Sequence, residues 1–298
     1  MKIGLNQNGI NKYTGIPEEW ITPEESVELV ADAGYDAVDV CTYRLVEHLG
    51  GSTLEERCAR IKEICDRRGL EISQTHAHRG EYDVATTEEF MQKLFKDVEI
   101  TAMLGCKYLV VHPVKPPECN GDKDYAFRRK VNVDRLKRLR PYLEKYDVIC
   151  CIENLFSKEN GKYCLNASCT TNELLDWVNE LGEDRYAVCL DTGHLNLNTP
   201  ITGETVPDAI RNLGKHLKVM HVHDNYTNND SHFFPYFGTI DWAETMRALV
   251  EIGYEGVFSL ELTLYKKIPF EKELLLASAK YARKLCDPND MIKRSMKG

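Results

Sequence analysis

The chain repeats one pattern of apolar and polar positions. An amphipathic run of helical length ends at a glycine and is followed by a short run rich in β-branched and aromatic residues, as in segments 31–40, 65–76, 101–112 and 250–262. A glycine at the end of a helix commonly adopts the positive φ of a C-cap, and residues of the kind that follow favour a strand. We therefore predict helix-to-strand junctions at four glycines: Gly34, Gly69, Gly105 and Gly253.

The opposite junctions carry helix-start signals, in which a threonine or an aspartate precedes a glutamate by three residues. Side chains with this spacing form a capping box, which satisfies free N–H groups in the first turn of a helix. Each signal opens an amphipathic run of helical length. The four signals are Thr22 to Glu25, Thr53 to Glu56, Thr170 to Glu173 and Asp241 to Glu244.

Together these signals predict eight strands that alternate with eight helices. The strands are expected near residues 2–7, 36–41, 70–76, 107–112, 147–153, 186–191, 217–223 and 256–262, and the helices near 23–33, 53–68, 86–104, 123–146, 171–181, 205–214, 241–252 and 271–286. Largely apolar strands separated by helices indicate a parallel sheet buried on both faces, and eight such units close into a (β/α)₈ TIM barrel. No linker divides the chain, so we predict one domain over residues 1–298. A doubly wound open sheet is the alternative fold, although no G-x-G-x-x-G sequence follows the first strand.

Composition and charge narrow the class of protein. With 43% hydrophobic and 29% charged residues the chain is typical of a globular protein. No apolar run approaches the roughly 18 residues of a membrane helix, and the N-terminal MKIGLNQNGI lacks the pattern of a signal peptide. We therefore expect a cytoplasmic protein with no membrane partner. The net charge of −9 argues against nucleic acid as a partner, and eleven cysteines without C-x-x-C spacing predict reduced, mostly buried thiols.

The predicted strand ends are rich in histidines, carboxylates and amides. Chemistry in such barrels gathers at the C-terminal ends of the strands. Acids at one rim repel one another and are costly to desolvate, and a divalent cation removes both costs. An oxygen-rich set with a histidine suits Mn²⁺, Mg²⁺, Co²⁺ or Fe²⁺ and accommodates Zn²⁺. The residues at these ends include Asn6, Gln7, His76, His78, His112, Glu153, Asn154, Asp191, His194, His221, His223, Asp224 and Glu261.

The seventh predicted strand ends in VMHVHDNY, residues 219–226, with two histidines. Side chains two residues apart on a strand point the same way, so His221 and His223 are expected to share a face. The spacing leaves open whether both, one or neither of them binds a metal.

The motifs VVHP, IEN, LDTGH, MHVHD, DSHFFPYFGTIDW and LEL occur in this order along nearly the whole chain. This series resembles the sugar phosphate isomerase/epimerase superfamily of xylose isomerase-like TIM barrels, which includes ketose 3-epimerases, inosose dehydratases and zinc-dependent apurinic endonucleases. The resemblance implies a divalent metal, manganese foremost, held by Glu153, Asp191, His221 and Glu261. By the same resemblance His221 is the ligand of its pair, and His223 either touches substrate or has a structural role.

The resemblance also implies residues that bind substrate. His194 matches a histidine that contacts substrate oxygens in the epimerases, and Glu159 matches a further epimerase carboxylate. One departure concerns Thr227, which stands where ketose 3-epimerases typically have a substrate-binding arginine and so argues against a standard 3-epimerase. The full set expected to bind substrate is His76, His112, Glu159, His194, His223 and His232.

These features predict an isomerase or epimerase that moves a proton next to the carbonyl of a sugar, a sugar phosphate or a polyol through a metal-stabilised enediolate. Glu153 and Glu261 are the expected base and acid, and dehydration by a lyase of the same barrel stays open. We also expect a homo-oligomer. Aromatic residues of the rim loops are candidates for an apolar wall around the sugar: Tyr13, Trp20, Phe156, Phe233, Phe234 and Tyr236.

Two alternatives stay open. One is a zinc-dependent phosphodiesterase similar to the apurinic endonucleases, which hold three zinc ions with nine ligands. Residues of each matching type are His76, His112, Glu153, Asp191, His194, His221, Asp230, His232 and Glu261. The other is a sugar-binding or subunit protein that keeps the barrel without turnover. Lys115 in HPVKPPE could meet a phosphate, although a solvated surface lysine is the plainer interpretation.

Overall fold

The computed structural model describes residues 1–10, 21–47, 51–116, 124–262 and 271–287. Eight parallel strands form one sheet, and two short antiparallel strands, β6 and β7, form a separate hairpin. The strands are β1 (Ile3–Asn6), β2 (Ala37–Cys41), β3 (Glu71–His76), β4 (Tyr108–Val111), β5 (Ile149–Glu153), β6 (Ser157–Glu159), β7 (Lys162–Cys164), β8 (Tyr186–Asp191), β9 (Leu217–His221) and β10 (Phe258–Leu260).

The sheet closes on itself. β1 pairs with β2 on one side and with β10 on the other, and the remaining strands follow in chain order. The gap between β9 and β10 is bridged by Val222, whose N–H donates to the carbonyl of Ser259 at 2.8 Å and whose carbonyl accepts from the N–H of Glu261 at 3.0 Å. The predicted TIM barrel is therefore confirmed, and the open doubly wound sheet is wrong.

Twelve α-helices surround the barrel in the described part of the chain. They are α1 (Pro23–Asp32), α2 (Thr42–Glu47), α3 (Leu54–Arg68), α4 (Tyr82–Ala85), α5 (Glu88–Met103), α6 (Tyr125–Lys137), α7 (Arg140–Tyr146), α8 (Thr171–Leu181), α9 (Thr192–Thr202), α10 (Val206–Leu213), α11 (Trp242–Glu251) and α12 (Glu271–Leu285). None of these helices has the length and apolar character that a membrane crossing requires.

The alternation of side chains along each strand decides what lies inside the barrel. On β5 and β8 the inward positions include Cys151 and Cys189, which pack together in a small interior cluster. Two residues further along each strand, the same face carries Glu153 and Asp191, so the strand period itself delivers both acids to the interior. The outward positions of these strands pack under the helices and are Cys150, Ile152, Tyr186, Val188 and Leu190.

The predicted junctions are confirmed in the structure. Thr22 and Thr53 form complete capping boxes, and the side chains of Thr170 and Asp241 accept from the backbone N–H three residues on. Every described cysteine is a free thiol, and all but Cys164 are buried. The four junction glycines have the expected positive φ: 86° at Gly34, 65° at Gly69, 70° at Gly105 and 65° at Gly253.

Some predicted boundaries are wrong. The single helix expected over 123–146 is two helices, because α6 ends at Lys137 and Pro141, which cannot donate within a helix, lies in the first turn of α7. Helices α2, α4 and α9 and the hairpin of β6 and β7 are absent from the predicted elements. The seventh barrel strand ends at His221, so His223 lies beyond it.

Candidate metal and substrate site

Four side chains from consecutive strand ends meet in the C-terminal mouth of the barrel. They are Glu153 of β5, Asp191 of β8, His221 of β9 and Glu261 just after β10, and one donor atom from each lies within 4.8 Å of the other three. Asp191 and His221 are fully buried, whereas the side chain of Glu261 is 14% exposed. The structure thus brings together the four residues that the resemblance implies as metal ligands.

His221 is oriented by a carboxylate on the far side of the barrel. Its Nε2 donates to Oδ2 of Asp39 at 2.9 Å, and its Nδ1 faces Glu153 at 3.3 Å and Glu261 at 3.5 Å. In the neutral ring, a hydrogen bond donated by one nitrogen fixes the tautomer and leaves the other nitrogen with its lone pair. Asp39 therefore presents Nδ1 of His221 to the two glutamates.

Asn154 fixes the backbone of Asp191. Its side-chain Nδ2 donates to the carbonyl of Asp191 at 2.9 Å, and its Oδ1 accepts from the N–H of Asp191 at 2.7 Å. Asp191 also caps helix α9, because its Oδ1 accepts from the N–H of His194 at 2.6 Å. The adjacent residues of the IEN motif therefore have different roles. Glu153 is one of the four clustered donors, and Asn154 holds the backbone at the end of β8.

The charges of this cluster depend on one another. Burial opposes charge on His221, but Cys189, Glu261 and Glu153 raise its pKa well above the usual range. Burial also opposes ionisation of Glu261, but the histidines His221 and His232 lower its pKa to about 2. Glu261 is therefore ionised at neutral pH, and protonated histidine supplies the balancing positive charge.

The residues fit a divalent cation. Glu153 Oε2 and His221 Nδ1 are buried and make no well-aligned hydrogen bond with a described residue, although His112 Nε2 lies 3.0 Å from Glu153 Oε2. Such atoms are costly to bury unpaired, and both are metal-ligand types. A divalent ion would give each a partner and would take over the positive charge that the proton on His221 supplies, because a metal-bound imidazole is neutral.

Besides a group that combines Cys189 with Glu153 and His221, three further donor groups overlap the quartet. His76 and His112 join Glu153, with their Nε2 atoms 3.1 Å apart and His112 Nε2 3.0 Å from Glu153 Oε2. A second group combines Asp191, His194 and His223, and a third combines His223, His232 and Glu261. Asp230 lies next to these, with its Oδ2 3.0 Å from His232 Nε2 and 3.7 Å from His194 Nε2.

His223 is buried between Asp191 and a glycine. Its Nε2 donates to Asp191 Oδ2 at 3.1 Å, and its ring stacks on His232 with centroids 3.9 Å apart. A Cβ added to Gly193 would lie 1.9 Å from Cε1 of His223, so only glycine leaves room for this ring. His223 therefore contacts a candidate ligand and does not line the cavity described below.

The loop after β9 is tied together by Asp224. Its carboxylate accepts from the N–H of Gly238 at 3.1 Å and from the indole N–H of Trp242 at 2.7 Å. This loop carries His232, which has a positive φ of 46° and donates to the carbonyl of Glu261 at 2.8 Å. Burial opposes charge on His232, but its hydrogen bond to Asp230 raises its pKa to about 9. The DSHFFPYFGTIDW motif thus holds a positively charged histidine against the site.

A cavity of about 590 Å³ opens above the quartet. Its floor contains Glu153 and Glu261, and its walls include His112, His194, Asp230 and His232 together with Phe156, Lys115 and Arg79. The ring of Phe156 lies 5.1 Å from that of His194. Lys115, for which a solvated surface position was the plainer expectation, is part of the cavity wall.

Several predicted substrate residues lie elsewhere. His76 is buried beneath the cavity against His112. Glu159 is exposed on the hairpin, pairs with Lys162 across the two strands and does not line the cavity. The aromatic residues Phe233, Phe234 and Tyr236 are also absent from the cavity lining. Tyr13 and Trp20 lie outside the described residues.

Two residues of the site were missed in the sequence. Asp39 is the middle residue of an otherwise apolar strand, AVDVC, and a lone acid at an inward position is the available signal. Arg79 follows the third strand end by three residues and had no motif to mark it.

The fold and site together define a (β/α)₈ barrel with a candidate metal centre at its C-terminal mouth. The chain belongs to the xylose isomerase-like TIM barrel family, whose model matches residues 27–285. It is similar to the D-psicose 3-epimerase of Enterocloster bolteae, with 24% identity over 252 residues that cover 82% of this chain and 78% of that protein.

Two further likenesses bear on the site. A probable endonuclease 4 of Mycoplasmopsis synoviae is 30% identical over 148 residues, which cover 47% of this chain and 48% of that protein. The crystal structure of the IOLI protein with a bound zinc atom superposes with a TM-score of 0.73 at 21% identity, covering 95% of this chain and 97% of that one. At 21% identity this structural similarity shows that the two proteins share a fold.

Proposed function

We propose that the protein is a metal-dependent isomerase or epimerase of sugars or polyols that moves a proton at the carbon next to a carbonyl. The observation that carries this proposal is the quartet itself. Two ionised glutamates, Glu153 and Glu261, form the floor of a sugar-sized cavity, with Asp191 and His221 buried beside them. The likeness to a D-psicose 3-epimerase supports the same reaction class.

The metal would be held by Glu153, Asp191, His221 and Glu261. When bound, a divalent ion such as Mn²⁺ supplies a Lewis acid that polarises the substrate carbonyl. Asp39 and Asn154 then act as positioning residues, because they hold His221 and Asp191 in the orientation that places their donor atoms in the cluster.

Glu153 and Glu261 are the proposed base and acid. Their low pKa values keep both carboxylates ionised at neutral pH, which is the state required to accept a proton from carbon. One carboxylate takes the proton from carbon, and the other takes up a proton from water before it delivers that proton to the enediolate. Return to the opposite face gives epimerisation, return to the neighbouring carbon gives isomerisation, and loss of a β-hydroxyl gives dehydration.

His194 is the proposed contact to substrate oxygens. Its Nδ1 donates to the carbonyl of Asn154 at 3.0 Å, while the residue lines the cavity. Thr227 has no place in the cavity lining and has a positive φ of 61°, so the position of the epimerase arginine is unused here. We therefore favour a substrate other than that of a standard ketose 3-epimerase.

A second candidate function is a multi-metal phosphodiesterase. It is favoured by the convergence of all nine residues whose types match the ligands of the zinc nucleases, in overlapping groups around the quartet. The net charge of −9 weighs against DNA or RNA as the substrate. We rank this candidate below the isomerase.

Solvent hydrogen exchange tests the first candidate. The purified protein, loaded with Mn²⁺, is incubated in deuterated water with ketoses, keto-inositols and their phosphates, and deuterium at carbon is measured by NMR. We expect incorporation next to the carbonyl of at least one compound. Sugar binding without incorporation for any compound would indicate a protein without turnover and contradict the proposal.

Metal content and nuclease assays test the second candidate. We expect one tightly bound metal per chain and no cleavage of abasic DNA. Two or three tightly bound zinc ions together with cleavage would replace the isomerase by the phosphodiesterase. A cytoplasmic homo-oligomer stays a prediction, which cell fractionation and native mass spectrometry would test.

A further inference from the structure

Arg79 differs from the other arginines of the structure. Each of the other described arginines makes a hydrogen bond or an ion pair, whereas Arg79 makes neither with any described residue. Its side chain is exposed and lines the cavity above Glu153 and Glu261. Arginine offers a fork of donors that matches an oxyanion in two-point geometry, and no described residue occupies the donors of this guanidinium.

Lys115 adds a second cation to the lining of the same cavity. Its Nζ donates to the carbonyl of Phe156 at 2.9 Å and lies 5.4 Å from the centre of the Phe156 ring. An ammonium group has three donors, so this hydrogen bond leaves two for a ligand. No carboxylate of the described residues lies within 4.0 Å of Lys115 or Arg79, although both line the cavity with Glu81.

The lining of the cavity carries both signs of charge. It contains Glu153 and Glu261, whose charges a metal would offset, and the two cations Arg79 and Lys115. Once a metal offsets the two glutamates, an anionic group on the substrate is attracted by both cations. A neutral sugar offers only hydroxyl groups to these cations.

The geometry points to a substrate that carries an oxyanion, either a phosphate or a carboxylate, which Arg79 and Lys115 bind while its carbonyl end lies over the quartet. The inference rests on the proposed isomerase function and narrows its substrate class to ketose phosphates or keto sugar acids.

Matched substrates test the inference. D-fructose, D-fructose 6-phosphate and D-fructuronate share one skeleton and differ at C6 in a hydroxyl, a phosphate or a carboxylate, and the same comparison extends to the other ketohexoses. Exchange is measured for wild type, Arg79→Met, Lys115→Met and a control, Lys158→Met. Lys158 lies over the ring of Tyr163 on the hairpin and outside the cavity lining.

We expect kcat/KM for one anionic form to exceed that of the neutral sugar by about tenfold or more, since hydrogen bonds between charged groups are the strong ones. That ratio should fall about tenfold in Arg79→Met or Lys115→Met and should be unchanged in Lys158→Met. Whichever of D-fructose 6-phosphate and D-fructuronate has the higher kcat/KM shows whether the site binds a phosphate or a carboxylate. Equal use of the neutral and anionic sugars by wild type would overturn the inference and leave the isomerase function standing.

A binding measurement keeps the inference testable if no sugar is turned over. Inorganic phosphate is titrated into the Mn²⁺-loaded protein by calorimetry. We expect its dissociation constant to rise about tenfold in Arg79→Met and in Lys115→Met. Phosphate binding that is the same in both variants as in wild type would place the anion on the metal alone and overturn the inference, whatever the exchange assay shows.

Discussion

His221 Nε2 donates to Asp39 Oδ2 over 2.9 Å, and this pair links the second and seventh strands of the barrel across its interior. Asp39 also accepts from Asn6 Nδ2 at 2.7 Å and from Gln74 Nε2 at 3.2 Å, so the carboxylate is itself held by three donors. Partners of this kind behind a metal-binding histidine typically change metal affinity by 10- to 100-fold when they are removed.

We therefore predict that Asp39→Asn weakens Mn²⁺ binding by about 10- to 100-fold, because the uncharged amide no longer favours the donor tautomer at Nε2 of His221. Calorimetric titration of the metal-free protein measures this. Asp36→Asn is the control, since Asp36 pairs with Arg283 near the start of its strand. Equal affinity in wild type and a folded Asp39→Asn protein would refute the role of Asp39.

For the two glutamates on the cavity floor we expect an effect on the rate of solvent exchange and not only on metal affinity. Glu153→Gln and Glu261→Gln should each reduce solvent deuterium exchange by about 100-fold or more, because an amide neither accepts a proton from carbon nor returns it. Exchange is to be measured at Mn²⁺ concentrations that saturate each variant, so that weaker metal binding does not account for the loss. Full exchange in either saturated variant would remove that residue from the proton transfer.

The resemblance and the structure give different expectations for Glu159. The resemblance to epimerases implies a substrate contact, whereas the structure places this side chain on the exposed hairpin outside the cavity lining. From its position we predict that Glu159→Gln changes kcat/KM by less than about twofold, as is usual for a surface substitution. A tenfold rise in KM would mean that the hairpin closes over the bound sugar.

Gly193 and His223 form a pair that a double-mutant cycle can test. In Gly193→Ala the new Cβ would lie 1.9 Å from Cε1 of His223 and force the ring away from Asp191. We expect a loss of about 1 to 3 kcal/mol in the free energy of unfolding, the usual cost of overpacking. In a His223→Ala background that cost should largely disappear. An equal cost in both backgrounds would assign the clash to another neighbour.

Glu173 lies outside the metal site, and we expect it to make the stability of the protein depend on pH. Burial raises its pKa to about 7, although Arg128 partly opposes the shift. Between its unfolded pKa near 4.5 and pH 7 the folded state keeps a proton that the unfolded state has lost, so stability falls as pH rises. The expected fall is on the order of 3 kcal/mol.

Denaturant unfolding of wild type and Glu173→Gln from pH 4.5 to 7.5 checks this prediction. The variant carries no proton to lose and should show a flatter profile than wild type over this interval. Parallel profiles for the two proteins would mean that Glu173 does not cause the slope.

The barrel could be predicted from the sequence because its signals are local. Capping boxes such as Thr53 to Glu56 and C-cap glycines such as Gly69 depend on residues within one turn, and they lie where they were expected. The break between α6 and α7 was missed although Pro141 marks it, and helix α9 was missed because its cap is Asp191, a residue already assigned to the metal site.

Site residues could be predicted where a motif marks the end of a strand. They could not be predicted where a role depends on two residues that are far apart in the sequence. Glu153 and Asp191 follow from the period of their strands, but Asp39 and His221 are 182 residues apart and no local pattern joins them. Arg79 was missed for a similar reason, because its significance lies in the hydrogen bonds it does not make with any described residue. Such relationships appear only when the strands are brought together.

The central claim is that one metal, held by the quartet, enables proton transfer at carbon. It is tested most directly by the rate of solvent deuterium incorporation into a ketose or ketose phosphate as Mn²⁺ is titrated into the metal-free protein. The account predicts no incorporation without metal and a rate that rises with bound Mn²⁺ and saturates at one ion per chain. Incorporation in the metal-free protein, or none in the fully loaded protein with any compound of the set, would contradict it.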